Sequence, residues 1–492
     1  MGIIRKQAVH SSIYIYLGVF LGFANAAMLM PFLLTSDQIG IISLLAAYTN
    51  VFSNLFAFGL PLITIKLFPK FKEDPSGAHH GFFSFSFILT IVGSILGIAF
   101  FFLIKDQLIS GKNTAAEFEP FVWAFAGLFV LRLVFKNFDP LVRMLHNTVL
   151  GSFGESFLLK FLITLSLLLF WHLESAQFEL LFILYTIGLS SPGIVSMAFL
   201  ILRKQVNFQY RNFLNFGRTL REDIASVGFY GLLGSVGGII VLEVDKIMVG
   251  NFLGTSPTGI YTTAFFFGVF VSIPSKAIKR VSAVVVSGAW HTGDIDLIKS
   301  VYYKSCLNQF IFAVYLFLGV WLNIDYVFEI LPSEYAQGKY VVLFIGLAHV
   351  FDMLTGANNE IISSSKFYKL NTYFTASLII LVVLFNYLLI PPYGISGAAL
   401  ASCLALIIIN VGRYFFLNRV LKYQPLDYRI ILVLTCGLIC YGISTFLIPV
   451  IANPYFGILI HGGLLTAIFL PTIYFLKVSE DINELIGKYL RK

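Results

Sequence analysis

The chain has 492 residues, of which 58% are apolar and only 12% charged, with a mean hydropathy of +0.87. A soluble domain is roughly half apolar and a quarter charged, so this composition excludes a soluble enzyme and a disordered chain and leaves a polytopic membrane protein. The formal charge of +8 is not read as a sign of nucleic-acid binding, because in a membrane protein the positions of the cations matter more than their sum.

A membrane crossing needs about 20 mostly apolar residues. In chain order such runs fall near 11–34, 39–68, 81–104, 118–138, 148–171, 178–202, 224–249, 258–285, 301–323, 337–362, 366–390, 394–421, 428–451 and 454–477. This predicts an all-α polytopic protein of about fourteen spans. The first run follows Arg5 and Lys6 and lacks a small-residue cleavage site, so it reads as a span and not as a secretory signal. With the N-terminus inside, 28 of the 33 Lys and Arg fall on or near the cytoplasmic side. Lys105, Lys112 and Lys339 fall outside, and Lys160 and Lys246 lie within spans. The bias predicts that both termini are cytoplasmic. The connections are short, the longest polar ones being 203–223 and 286–300, which leaves no room for a soluble catalytic domain.

In 206–221, Tyr210, Phe213, Leu214 and Leu220 share one helical face, with Arg211, Asn215, Arg218 and Arg221 mostly on the other. This predicts a basic interfacial helix against an anionic inner leaflet. It divides the chain into an N-lobe (1–205, spans one to six), a linker (206–223), a C-lobe (224–421, spans seven to twelve) and two extra spans with a cytoplasmic tail (422–492). A weak repeat supports the division. Phe32-Leu33-Leu34-Thr35-Ser36 with Gly40-Ile41 aligns, with one gap, to Phe252-Leu253-Gly254-Thr255-Ser256 with Gly259-Ile260. Six plus six spans starting on the same side make a parallel duplication.

The run from Val244 to Gly254 (VDKIMVGNFLG), followed by Gly259-Ile260-Tyr261, resembles a signature of the polysaccharide-unit flippases. These belong to the multidrug/oligosaccharidyl-lipid/polysaccharide exporter superfamily. Asn386 to Ala399 (NYLLIPPYGISGAA) is similar to that family's start of span twelve, and Gly59-Leu60-Pro61 with Lys66 fits its span two. The resemblance implies two six-helix lobes around a central cavity, and alternating access. It also implies cargo of an undecaprenyl-diphosphate-linked oligosaccharide, moved across the cell inner (plasma) membrane for a polysaccharide polymerase or ligase. Gly394, Gly397, Ala398 and Ala399 give a small-residue face for close helix packing; they identify the family and are not expected to bind substrate.

Ionisable groups at bilayer depth are costly and face a cavity or a partner. Span four carries Arg132, Lys136, Asp139 and Arg143 as one helical stripe. Arg132 and Lys160 lie deep in spans four and five, and cations with forked guanidinium geometry suit a diphosphate. Arg132, Lys136 and Lys160 are therefore the candidate cationic cavity, Arg143 being ordinary positive-inside placement. Lys66, Lys276, Lys279 and Arg280, at the inner ends of spans two and eight, either snorkel to the surface or make first contact with the arriving diphosphate. Asp352, near the middle of span ten with Glu360 near its face, either carries a coupling proton or sodium ion or neutralises a cation such as Arg132. Glu243 and Asp245 lie toward the outer end of span seven, and Asp245 with Lys246 is read as an ion pair.

Cys306, Cys403, Cys436 and Cys440 all lie in apolar runs, and the eight His form no metal-spaced set. The i, i+4 pair Cys436 and Cys440 has no second pair of soft ligands. No metal, cofactor or nucleic-acid partner is expected, and no Gly-rich phosphate loop followed by Lys-Ser/Thr is present. Asp294-Ile295-Asp296 matches the Asp-x-Asp of glycosyltransferases but falls in a short connection. The expectation is a non-enzyme. The competing readings are a multidrug exporter of the same superfamily, which would use acidic cavity residues, and a membrane enzyme of glycan assembly.

Overall fold

The computed structural model describes residues 2–71, 81–108, 117–145, 148–173, 177–203, 206 and 218–484. The linker helix expected over 206–221 falls mostly outside these, with only its last residues, from Arg218, in a described helix. Among the described residues the chain is almost wholly helical, with no strand. It divides into two compact units, Met1–Thr262 and Thr263–Lys492.

In the first unit, α1 (Gly2–Phe23) continues through a π-helical turn, Ala24–Leu29, and a last turn, Met30–Leu33. Helix α2 (Ser36–Leu55) opens on a capping box. Gln38 N donates to Thr35 Oγ1 at 3.3 Å while Thr35 N donates to Gln38 Oε1 at 3.1 Å, so two orphan donors of the first turn are satisfied together. Helix α3 (Leu60–Leu67) follows at a 47° bend. Gly59 makes the bend at φ 69°, a conformation that side chains resist, and Pro61 starts the next turn. Then come α4 (Phe82–Leu108), α5 (Trp123–Met144), α6 (Leu159–His172), α7 (Phe178–Leu202) and α8 (Arg218–Leu253). Helix α6 is preceded by Thr148–Ser152 and a second π-helical turn, Phe153–Leu158. Phe68, Phe82, Phe138 and Leu141 form part of the core.

The division between the units falls inside α9 (Thr255–Phe270). The second unit continues with α10 (Ile273–Thr292), α11 (Ile295–Trp321), α12 (Ile324–Ile330), α13 (Lys339–Leu354), α14 (Asn358–Ser364), α15 (Tyr368–Leu421), α16 (Tyr428–Gly442) and α17 (Pro454–Phe475). Helices α16 and α17, the two extra spans, pack on α11 through Val433, Cys436, Cys440, Leu465 and Phe469 against Phe310 and Val314. The two cysteines are thus core residues.

Each predicted span has its helix, and the protein is a multi-pass membrane protein. Among the described residues nine helices, or ten with the bent pair α2–α3, are long and apolar enough to cross a membrane. Two expected spans, 366–390 and 394–421, run together in α15, which is broken inside at Gly394 (φ 59°, ψ −140°). A Cβ on Gly397 would lie 2.0 Å from the Leu389 carbonyl oxygen, so no side chain fits where the two limbs meet. The glycines of that motif are architectural. Other expected spans are less apolar or are interrupted: α5 carries the charged stripe, and α9 and α10 are separated by Val271 and Ser272.

The repeated turn is also visible. Ser36 Oγ and Ser256 Oγ are 2.7 Å apart, and the Thr255 hydroxyl meets the Asp37 carboxylate at 2.8 Å and that of Glu117. A Cβ on Gly40 would lie 1.9 Å from the Thr255 carbonyl oxygen, and one on Gly259 would lie 2.0 Å from that of Ser36. The two aligned segments therefore touch each other through their glycines.

Candidate functional site

In the first unit α2, α5, the segment leading into α6, and α8 bring ionic side chains together. Arg132, on α5, donates from Nε to Asn50 Oδ1 at 3.2 Å and from Nη2 to Glu155 Oε1 at 2.9 Å. Its Nη1 is buried and has no hydrogen-bond partner among the described residues. One turn along, Lys136 Nζ donates to Asn54 Oδ1 at 2.7 Å. Asn50 turns its other side to α8, Nδ2 donating to Glu243 Oε1 at 3.0 Å, and Lys246 Nζ donates to Glu243 Oε2 at 2.8 Å. An asparagine amide thus bridges a guanidinium on one helix and a carboxylate on another, giving each the complementary half of its dipole.

Lys160 completes the group. Its ammonium interacts electrostatically with Arg132, Glu155, Lys246 and Glu243 and has no hydrogen-bond or ion-pair partner among the described residues. Its stem lies along Gly22 of α1, whose Cβ, if present, would be 3.6 Å from Cε. Both π-helical turns serve this spot. Asn25, in the first, donates to the Lys160 carbonyl at 3.0 Å, and Glu155 belongs to the second. A π turn releases backbone carbonyls and rotates side chains by one position, which is why such turns recur at functional sites.

Four cations (Arg132, Lys136, Lys160 and Lys246) stand against two carboxylates (Glu155 and Glu243), which leaves an excess of two positive charges. With Arg132 Nη1 and the Lys160 ammonium lacking hydrogen-bond partners among the described residues, positive charge and unused donors gather at one spot. The remainder of the span-four stripe closes on itself, Arg143 pairing with the buried Asp139 at 2.6 Å.

Other predicted residues lie elsewhere. Lys66, exposed on α3, has no hydrogen bond or ion pair with the cluster among the described residues. Asp245 is buried and accepts from the Tyr261 hydroxyl at 2.8 Å. Lys246 pairs with Glu243, which lies one helical turn away on the same face of α8.

The second unit has its own polar centre. Asp352, on α13, receives Lys279 of α10 at 2.6 Å and Asn410 Nδ2 of α15 at 3.3 Å. Asn410 Oδ1 accepts from Asn358 at 3.1 Å. Arg413, buried on α15, interacts electrostatically with Asp352 and Glu360, and Glu360 Oε2 is buried with no hydrogen-bond partner among the described residues. Lys276, exposed on α10, reaches this centre electrostatically through His349, which also interacts with Asp352 and Lys279. Asp352 thus has a cation of its own, Lys279, for which the sequence offered snorkelling to the surface or first contact with the diphosphate. The Asp-x-Asp of the connection is a helix start: Asp294 caps α11, accepting from Leu297 N at 3.0 Å.

Sequence reasoning missed Asn25, Asn50, Asn54 and Glu155. Asn50 and Asn54 carried a usable signal, since they are i, i+4 amides inside an apolar run and so share a face.

Comparison with solved structures places the fold. The lipid II flippase MurJ in an inward closed conformation superposes with a TM-score of 0.72 at 13% identity, covering 96% of this chain and 99% of that one. An inward-facing MATE family multidrug resistance transporter of the MOP superfamily gives a TM-score of 0.67 at 13% identity, covering 85% and 98%. The chain shares its fold with these two transporters. No protein-family profile matches the chain. Among curated sequences, an uncharacterized membrane protein of Methanocaldococcus jannaschii is 24% identical over 56% of this chain and 55% of its own length. The probable low-salt glycan biosynthesis flippase Agl15 of Haloferax volcanii is 22% identical over 47% of this chain and 51% of its own. The capsular polysaccharide biosynthesis protein CapF of Staphylococcus aureus is 22% identical over 52% and 65%. The chain spans between half and two thirds of the length of these relatives. The resemblance to glycan flippases read from the motifs is therefore matched by relatives bearing such names, on the fold of these transporters.

Proposed function

We propose that this protein is a flippase that carries an undecaprenyl-diphosphate-linked oligosaccharide from the cytoplasmic to the outer leaflet of the inner (plasma) membrane by alternating access. The observation that carries the reading is the cluster of Arg132, Lys136, Lys160 and Lys246, with its excess of two positive charges and two unused donors. A diphosphate linked on both sides bears two negative charges and offers several acceptor oxygens, so it complements this receptor in charge and in hydrogen bonding. The names of the glycan-related relatives support the same cargo. The steep Lys and Arg asymmetry of the loops supports cytoplasmic termini. A polymerase or ligase would consume the unit outside, and Asp352 with Lys279 is where a driving proton or sodium ion would act.

A second reading, export of cationic compounds, is favoured by one observation: Glu155 and Glu243 lie in the same cluster. One experiment separates the two. Labelled undecaprenyl-diphosphate oligosaccharide is followed across proteoliposomes holding wild type, Arg132→Ala or Lys160→Ala. Translocation by wild type, with loss of about 100-fold in either variant at unchanged folding, is expected for buried charge-assisted contacts to a diphosphate. A wild type that ignores the lipid and moves cationic drugs against an ion gradient overturns the flippase reading. Release of a new glycosidic product from lipid-linked donors would establish an enzyme.

A further inference from the structure

Glu155 is an odd member of an anion receptor. It sits among the candidate cations, pairing with Arg132 at 2.9 Å and interacting electrostatically with Lys136 and Lys160. The second carboxylate of the cluster, Glu243, is held differently. Both of its oxygens are engaged, by Asn50 and Lys246, and its side chain is only 10% exposed. Glu155 uses one oxygen on one nitrogen of Arg132 and is 42% exposed, against 18% for the guanidinium behind it. It covers the cation from the accessible side without saturating it, since Arg132 Nη1 remains unpaired.

A cationic cluster inside a bilayer faces a selectivity problem that does not depend on the cargo's glycan. Anionic phospholipids, each with a single phosphodiester charge, surround it in excess. We propose that Glu155 is a specificity-determining residue that bars headgroups of single charge from the cluster and yields only to a diphosphate. This inference rests on the flippase reading above. A phosphodiester that displaced Glu155 would exchange one negative charge for another and gain nothing. A diphosphate replaces one charge by two, and its extra oxygens take the unused Arg132 Nη1 and Lys160 ammonium. The carboxylate is thus a built-in competitor, and discrimination arises from a repulsive element as well as from attraction.

The test uses the full chain in nanodiscs of phosphatidylcholine, with phosphatidylglycerol replacing an increasing share. Binding of labelled undecaprenyl-diphosphate oligosaccharide is measured for wild type, Glu155→Gln, Glu155→Asp and Glu155→Gln combined with Arg132→Ala. Wild-type affinity should change by less than about 2-fold with phosphatidylglycerol, whereas Glu155→Gln should lose at least about 10-fold, with Glu155→Asp between them. Native mass spectrometry should show phosphatidylglycerol retained by Glu155→Gln and lost again when Arg132→Ala is added. A Glu155→Gln protein as indifferent to phosphatidylglycerol as wild type, with none retained, overturns the inference while leaving the flippase reading intact. Failure of wild type to bind the diphosphate lipid in pure phosphatidylcholine overturns the flippase reading and this one with it. Should Glu155→Gln not fold, Glu155→Asp decides, because it draws the carboxylate back from Arg132 while keeping its charge.

Discussion

Removing Lys279 should destabilise the second unit far more than removing Lys279 and Asp352 together. The two side chains meet at 2.6 Å and are 20% and 21% exposed, so the pair is mostly withdrawn from solvent. At an effective dielectric of about 20 two unit charges at this distance attract by about 6 kcal/mol, most of which offsets their desolvation. In Lys279→Met the Asp352 carboxylate keeps only the Asn410 amide, at 3.3 Å, as a side-chain donor. Breaking a buried pair from one side costs about 3–5 kcal/mol, and the residual exposure places this pair at about 3. With about 2–4 °C per kcal/mol for a unit of this size, Tm should fall by roughly 6–12 °C. Lys279→Met with Asp352→Asn removes both charges of the pair, leaving Arg413 to Glu360, and should recover most of the loss. Thermal unfolding in detergent, by intrinsic fluorescence with size-exclusion as a control, measures the four corners of the cycle. A coupling below about 0.5 kcal/mol, with the double variant no better than the single, refutes the argument.

Three further outcomes follow from other parts of the molecule. Gly397→Ala should cost at least about 3 kcal/mol and sharply reduce the yield of monodisperse protein, because its Cβ would lie 2.0 Å from the Leu389 carbonyl oxygen; Gly442→Ala, which meets nothing within 4 Å, should be neutral or slightly stabilising. Asn50→Ala removes the amide between Arg132 and Glu243 and should slow lipid translocation by about 10-fold. Added to Arg132→Ala it should do no further harm, which a proteoliposome assay of the double variant would show. Beyond α17, burial pushes the Asp481 carboxyl up, but hydrogen bonds from Lys304 and Asn308 more than offset this and hold it below the ordinary carboxylate range. A lowered folded-state value contributes stability above the unfolded value of about 4, lost as pH falls through the folded one. Tm of wild type should therefore drop more steeply than that of Asp481→Asn as pH is lowered from about 5 to 3.

Much of this was readable in the sequence, and the unread part has a physical cause. Hydropathy marks where a chain enters and leaves a membrane, so the helices fall where the apolar runs do, and the expected boundary before 394–421 falls at Gly394, whereas the bend at Gly59 inside the expected run 39–68 was not foreseen. Depth was readable too, and it singled out Arg132, Lys136 and Lys160. Which way a span faces was not. The Phe153–Leu158 π turn alters the register of the fifth span, so Glu155 is brought onto Arg132 by a local irregularity that a regular 3.6-residue period does not contain. Asn25, Asn50 and Asn54 were overlooked because a single amide barely changes the hydropathy of a run, although at depth each must find a partner. The pairing of Lys279 with Asp352 was not foreseen, because the spacing of cations near a helix end does not reveal a carboxylate on another helix.

The contact between the two repeated turns has a consequence of its own. Gly40 lies on the carbonyl of Thr255, and Gly259 lies on that of Ser36, while Ser36 and Ser256 share a hydrogen bond. Each partner gives what it receives, as in the self-complementary interface of a symmetric dimer. With backbone against backbone at the glycines, a larger residue at either one would act as a wedge and drive the two turns apart, breaking the Ser36–Ser256 hydrogen bond.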